Sequence, residues 1–186
     1  MHEYIVLPDS YYVGANVLYD FNLQNGLYFP VDQKYKTRDE IEADYPSIVK
    51  AYLDGRFPAD IAEQLRDLLS TIRNRPLIVR SSSLLEDNFG TSFAGKYASF
   101  FCPNQVTLDE NVDALLIAIK RIYASALASD PLIYRQRMGL VDYDERMAIL
   151  IQEVQGDQHG QYFYPMIAGV GRGSADARRT PARARR

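Results

Sequence analysis

Tryptophan is absent from this chain, cysteine occurs once and histidine twice. The lone Cys102 excludes an internal disulfide and fits a reducing, cytoplasmic compartment. One thiol and two distant imidazoles, His2 and His159, are too few for a zinc site. No apolar run approaches the roughly 18 residues that a membrane-spanning helix needs; "ALLIAI" and "MAILI" are core-sized. The opening "MHEYIVLPDS" has no basic start and no long apolar stretch, so no export signal is expected. Neither GxxxxGK[ST] nor GxGxxG occurs, which removes the two familiar nucleotide loops.

What is present is a globular composition, nearly half apolar and a quarter charged. The charge is unevenly spread. The last fifteen residues, "RGSADARRTPARARR", hold six Arg and one Asp, a net +5. That leaves 15 basic and 23 acidic residues in 1–171, a net −8, and a body so acidic is a poor nucleic-acid partner. Residues 172–186 have no apolar periodicity and read as a disordered, non-native tail.

Periodicity supplies the elements. Residues 1–36, broken by Pro8, Gly14, Gly26 and Pro30, read as irregular segments and short strands. "TRDE" is a capping box in which Thr37 and Glu40 open a helix with Ile41, Tyr45, Ile48, Val49 and Tyr52 on one stripe, ended by Gly55. Pro58 starts a second helix with Ile61, Leu65, Leu68, Leu69 and Ile72 inward. "LIV" after Pro76 is a short buried strand, "KYASFF" a second, and Thr107 with Glu110 opens a long helix. "SDP" at 129–131 starts a shorter helix ending near Gly139. "RMAILIQEV" is strand-like, "QGDQHGQ" a polar turn holding His159, and "YFYPMIAGV" a returning strand. The order predicts an α+β fold, a mixed sheet with helices packed on it.

One stretch carries chemistry: "PLIVRSSSLLEDNFGTSFAGKYASFF", Pro76 to Phe101. A phosphate needs fixed positive charge and donors that approach without bulk. Arg80 offers a planar fork of donors. Ser81, Ser82 and Ser83 add hydroxyl and backbone donors in the loop expected after the strand, and Gly90 and Gly95 allow amides to close over an anion. The competing reading is a surface hairpin in which Arg80 pairs with Glu86 or Asp87. Lys96 reads as a solvated strand residue and Arg135 as a member of a structural ion pair.

"VRSSSLLEDNFGTSFAGKYASF" closely resembles the "VRSSA-x-ED…SFAG" segment of the phosphoenolpyruvate synthase and pyruvate phosphate dikinase family, matching at Val79, Arg80, Ser81, Ser82, Glu86, Asp87, Ser92, Phe93, Ala94 and Gly95. The similarity continues at Tyr134, Arg135 and Gly139, and at "MAILIQEV", which puts Gln152 on a glutamine of the family. The resemblance implies a partial nucleotide-binding domain of ATP-grasp type over residues 1–171. It implies ATP as ligand, with Mg2+, and phosphorylation of a carrier histidine and then of pyruvate or a related acceptor, an antibiotic and a glucan included. Arg80 would contact the phosphates, and the loop around Phe93, Ala94 and Gly95 would fold over the β- and γ-phosphates. Gln152, with the backbone of Glu153 and Val154, would line the nucleotide pocket.

Departures from the family pattern set expectations too. The family's "GGK-x-A" lysine has no counterpart in "YYVGANVLYDF", and the sequence runs into "GVGRGSADARR" where carboxylates for magnesium are due. No metal ligand or catalytic residue is therefore assigned, and His159 is no phosphoryl carrier. Modules bearing the phosphohistidine and binding pyruvate do not fit in this length, so the chain reads as an N-terminal fragment or a shortened member. The alternative is a non-catalytic nucleotide-sensing or interaction domain that kept the fold.

Overall fold

A computed structural model describes residues 8–72, 74–85, 95–160 and 162–165. The chain divides after Val154 into two compact units. The first contains strand β1 (Ser10–Val13), helices α1 (Asn16–Gln24), α2 (Phe29–Gln33), α3 (Arg38–Asp54) and α4 (Ala59–Thr71), strands β2 (Leu77–Ser83) and β3 (Ser99–Cys102), helices α5 (Leu108–Ser125) and α6 (Ser129–Arg137), and strand β4 (Met147–Glu153). The described part of the second is a hairpin of β5 (Asp157–His159) and β6 (Tyr162–Tyr164).

Both expected capping boxes form. The Thr37 hydroxyl accepts from the Glu40 amide while Glu40 reaches back to the Thr37 amide at 2.8 Å, and Thr107 with Glu110 repeats the arrangement at 3.1 Å. Each box satisfies two amides that a helix start otherwise leaves without acceptors. The stripes face inward as spaced: Ile41, Ile48 and Tyr52 on α3, Leu65 and Leu69 on α4, and Val112, Leu115, Ile119, Ile122 and Tyr123 on α5 are all buried. Pro58 is the N-cap of α4 rather than a residue of its first turn. Gly55 caps α3, and Gly139, with φ of 69°, follows α6.

The four strands of the first unit run in the order β1-β4-β2-β3, and every pairing is antiparallel. The sheet is thus antiparallel among the described strands and not mixed. Its central pair, β2 with β4, is made by segments far apart in sequence, in register Leu77 with Glu153 through Ser83 with Met147. Successive side chains of a strand take opposite faces. Leu77, Val79, Met147, Ile149 and Ile151 are buried on one face, against which α5 packs through β2 and β3. The other face carries Tyr12, Ile78, Arg80, Leu150, Gln152 and Phe101, and among these Tyr12 is 68% and Phe101 70% exposed. No described helix covers it.

Four local expectations are corrected. Arg80 to Ser83 is strand, not loop, because the long β4 supplies partners for all four residues. Segment 1–36, read as irregular or strand, contains α1 and α2 as well as β1. "QGDQHGQ" is not a turn throughout: Asp157–His159 is strand, and the His159 ring stacks on Tyr164 at 4.4 Å. Lys96 precedes β3 rather than lying in it, with its ammonium 5.4 Å from the Tyr134 ring centroid. No helix among the described residues is long and apolar enough to cross a membrane.

Candidate functional site

The open face of the sheet brings the sequence-predicted residues together through register. Gln152 stands opposite Ile78, and Arg80 is two residues along β2 on the same face, opposite Leu150. Such diagonal neighbours are roughly 7–8 Å apart between backbones. The Arg80 side chain is exposed and makes no hydrogen bond or ion pair among the described residues. Glu86 and Asp87, its alternative partners, lie outside the described residues, as do Phe93 and Ala94. Gly95 lies inside them and adopts φ of 76°, a left-handed conformation that glycine takes without penalty.

Gln152 is held in place. Its Nε2 donates to Ser10 Oγ at 2.9 Å, and that hydroxyl donates to the Pro8 carbonyl at 3.1 Å. The carboxamide oxygen then remains as an acceptor above the sheet. The next two residues end the ladder. The Glu153 amide donates to the Asp9 carbonyl at 3.1 Å and the Val154 amide to the Pro76 carbonyl at 2.8 Å, so both amides are spent on the sheet. Proline has no N–H to return, and the Val154 carbonyl receives no bond from β2 there. The Glu153 side chain takes the core face, 7% exposed, and meets Arg75 at 3.0 Å. It does not share the face of Gln152.

The three serines divide by the pleat. Ser82 sits on the face of Arg80, while Ser81 and Ser83 take the helix-covered face. Ser83 is buried. Its hydroxyl donates to the Glu145 carboxylate and accepts from the Leu85 amide at 3.0 Å. The Tyr97 phenol is pushed up by burial first and by Glu145 second. This cluster anchors the exit of β2, from which the chain enters residues 86–94. Arg135 is corrected as well. It is 7% exposed, and its guanidinium donates to the carbonyls of Leu140 at 3.4 Å, Val141 at 3.5 Å and Tyr143 at 2.7 Å, not to a carboxylate.

Sequence reading missed Ser10, Tyr12 and Glu145. None had a local signal: "SYYV" does not alternate polar with apolar residues, and Glu145 meets Ser83 across 62 residues.

An open antiparallel face with a cation and an acceptor on adjacent strands suits a phosphorylated ligand that also carries hydrogen-bonding groups. Comparison with known proteins gives the class: an ATP-binding domain of the dikinase type. Residues 1–180 match the family described as "Pyruvate phosphate dikinase, AMP/ATP-binding domain", and the chain belongs to that family. It is similar to a phosphoenolpyruvate synthase of Aquifex aeolicus (strain VF5), 26% identical over 161 residues, which is 81% of this chain and 18% of that protein. It is also similar to the "Uncharacterized phosphotransferase YvkC" of Bacillus subtilis (strain 168), 26% identical over 148 residues, 78% of this chain and 15% of that protein. The chain therefore spans less than a fifth of the curated relatives it matches.

Proposed function

We propose that residues 1–171 are the ATP-binding portion, of ATP-grasp type, of a dikinase-type phosphotransferase, and that residues 172–186 stand outside it. ATP lies along the open face of the first unit. Arg80, with Ser82 beside it, grips phosphate oxygens, and the segment ending in Phe93, Ala94 and Gly95 closes over the β- and γ-phosphates with backbone amides. At the far end of β4 the Gln152 oxygen and the Val154 carbonyl accept hydrogen bonds from the nucleoside. Ser81 and the Glu153 carboxylate take no direct part, because the pleat turns them to the other face.

The observation that carries this reading is a single one: the exposed Arg80 guanidinium, without a partner among the described residues, on the same face as Gln152. Phosphoryl transfer depends mostly on positioning and on stabilising charge, and a magnesium ion would add positive charge there when bound. Among the described residues no group of three or more His, Cys, Asp or Glu side chains could hold a metal ion. Nothing in the described chain is therefore assigned to magnesium. The phosphoryl passes to a carrier histidine and then to pyruvate or a related acceptor in modules beyond these residues.

Calorimetric titration with ATP tests the reading. Losing a charged hydrogen bond costs roughly 1.5–3 kcal/mol, so Arg80→Ala is expected to weaken ATP binding by about ten- to a hundredfold. Equal affinity in the variant and the unmodified chain sinks the assignment.

A further inference from the structure

A second place in the first unit could hold a ligand. Within the helical layer, a cavity of 290 Å³ lies among α1, α2, α3, α5 and α6. Its lining is graded. Tyr19, Val31 and Tyr35 stand at the mouth, 45%, 61% and 63% exposed, whereas Tyr52, Tyr123 and Leu132 in its depth are each 1% exposed.

The depth is apolar with a polar end. Among the described residues the buried Tyr123 hydroxyl, Asn22 Oδ1 and Glu145 Oε2, all three in the lining, have no hydrogen-bond partner. The Asn22 amide lies beside the Tyr52 phenol. An unsatisfied buried polar group costs about 1–3 kcal/mol. Asn22 and Tyr123 both stand beside Tyr52, and together they constitute a place for a partner with a donor and an acceptor on the same atom. A hydroxyl has both: it donates to Asn22 Oδ1 and accepts from Tyr123.

Size and charge narrow the occupant. An apolar cavity of about 150 Å³ holds benzene, so this space suits two fused rings. Burial pushes both Tyr52 and Tyr123 up, so their phenols stay neutral, and no carboxylate or cation lies beside them in the depth. The charged lining residues are Lys34, Arg135, Asp144 and Glu145. Lys34 is already paired with Asp142 at 3.2 Å, Asp144 with Arg146 at 2.8 Å, Arg135 with backbone carbonyls, and Glu145 accepts from the Ser83 hydroxyl. At the Tyr52–Tyr123 end a charged ligand tip would lose its hydration without compensation.

We infer that this cavity is a second binding site, separate from the open face, for a compact uncharged two-ring molecule bearing one hydroxyl. The inference does not depend on ATP binding. The probe is 2-naphthol, titrated into the full chain and followed by calorimetry and by methyl NMR. Saturable binding is expected with Kd below about 1 mM, a hydrogen-bonded ligand of this size lying well within that range. The methyl resonances of Leu18, Leu127 and Leu132 should shift, and those of Ile78 and Leu150 on the open face should not. Tyr123→Phe should weaken binding about fivefold, the worth of one hydrogen bond. Because that variant removes a core hydroxyl, 2-methoxynaphthalene on the unmodified chain gives a second reading; it cannot donate to Asn22 and should bind about fivefold more weakly. Absence of saturable binding, shifts confined to the open face, or equal affinity for the two naphthalenes overturns the inference.

Discussion

Gly55 illustrates how one atom can be excluded by its surroundings. Its φ of −61° and ψ of 156° suit any residue, so backbone freedom is not what glycine supplies. A Cβ there would meet Phe21 Cζ at 2.7 Å and Asn25 Cγ at 3.2 Å. Phe21 is fully buried and locked against Tyr52, Phe57 and Tyr123, with ring centroids 5.9, 4.8 and 6.1 Å away, so the ring has nowhere to go. Gly55→Ala is expected to lower stability by roughly 1–3 kcal/mol, read from urea unfolding midpoints; an unchanged midpoint would show that the cluster yields. The sequence marked Gly55 only as a helix end. Arg80 was legible because its charge ends an apolar run, whereas Gln152 was marked by the resemblance of its segment to the family. The facing of Ser81, Ser82 and Glu153 was not, because the pleat assigns faces only once a strand's length and register are known, and β2 proved longer than its apolar core.

Among elements, α3 and the start of α5 were read almost to the residue because each is opened by a threonine and a glutamate at fixed spacing, while α5 ends at Ser125, ahead of the break expected at 129–131. In both boxes the hydrogen bond from threonine is the main cause holding the glutamate, Glu40 or Glu110, below its ordinary value. A carboxyl lowered in the folded state stabilises fully above its unfolded value and loses that contribution as pH falls through the folded one. The difference in thermal midpoint between the unmodified chain and Thr107→Ala should therefore be present at neutral pH and shrink as pH is taken below the usual glutamate range. A difference that grows on acidification would refute the assignment. By contrast α1 has neither a side-chain cap nor an acidic residue in its first turn, and only Val17 and Phe21 of its residues are buried. With one turn of signal and no start marker, its sequence did not stand out from the neighbouring Gly and Pro. The strand β1 was hidden for a related reason, being four residues long with one buried position.

For the molecule as a whole, the α+β class followed from the alternation of helical and strand-like runs, but strand order did not, since nothing local states which strand will lie beside which. Cys102 reports on this packing. It sits at the end of β3 with its sulfur 3.9 Å from the Ala114 carbonyl of α5, and burial pushes its thiol up. A buried thiol with a raised pKa reacts only through opening of the structure. Its modification by a disulfide reagent should be roughly a hundredfold slower in the native chain than in denaturant; a fast phase under native conditions would mean that β3 separates from the sheet on its own.

The pairing of β2 with β4 also has a consequence in time. Arg80 and its opposite number Leu150 are separated by 70 residues of chain. Contacts of that span are slow to close, because the entropy of the intervening loop is lost before the pairing returns anything. A growing polypeptide halted anywhere short of β4 can assemble helices and the β2–β3 edge, yet it presents its guanidinium on a ribbon with no acceptor alongside. The face that brings Arg80 beside Leu150 and Gln152 is therefore among the last features to come into being, and its appearance times the completion of folding.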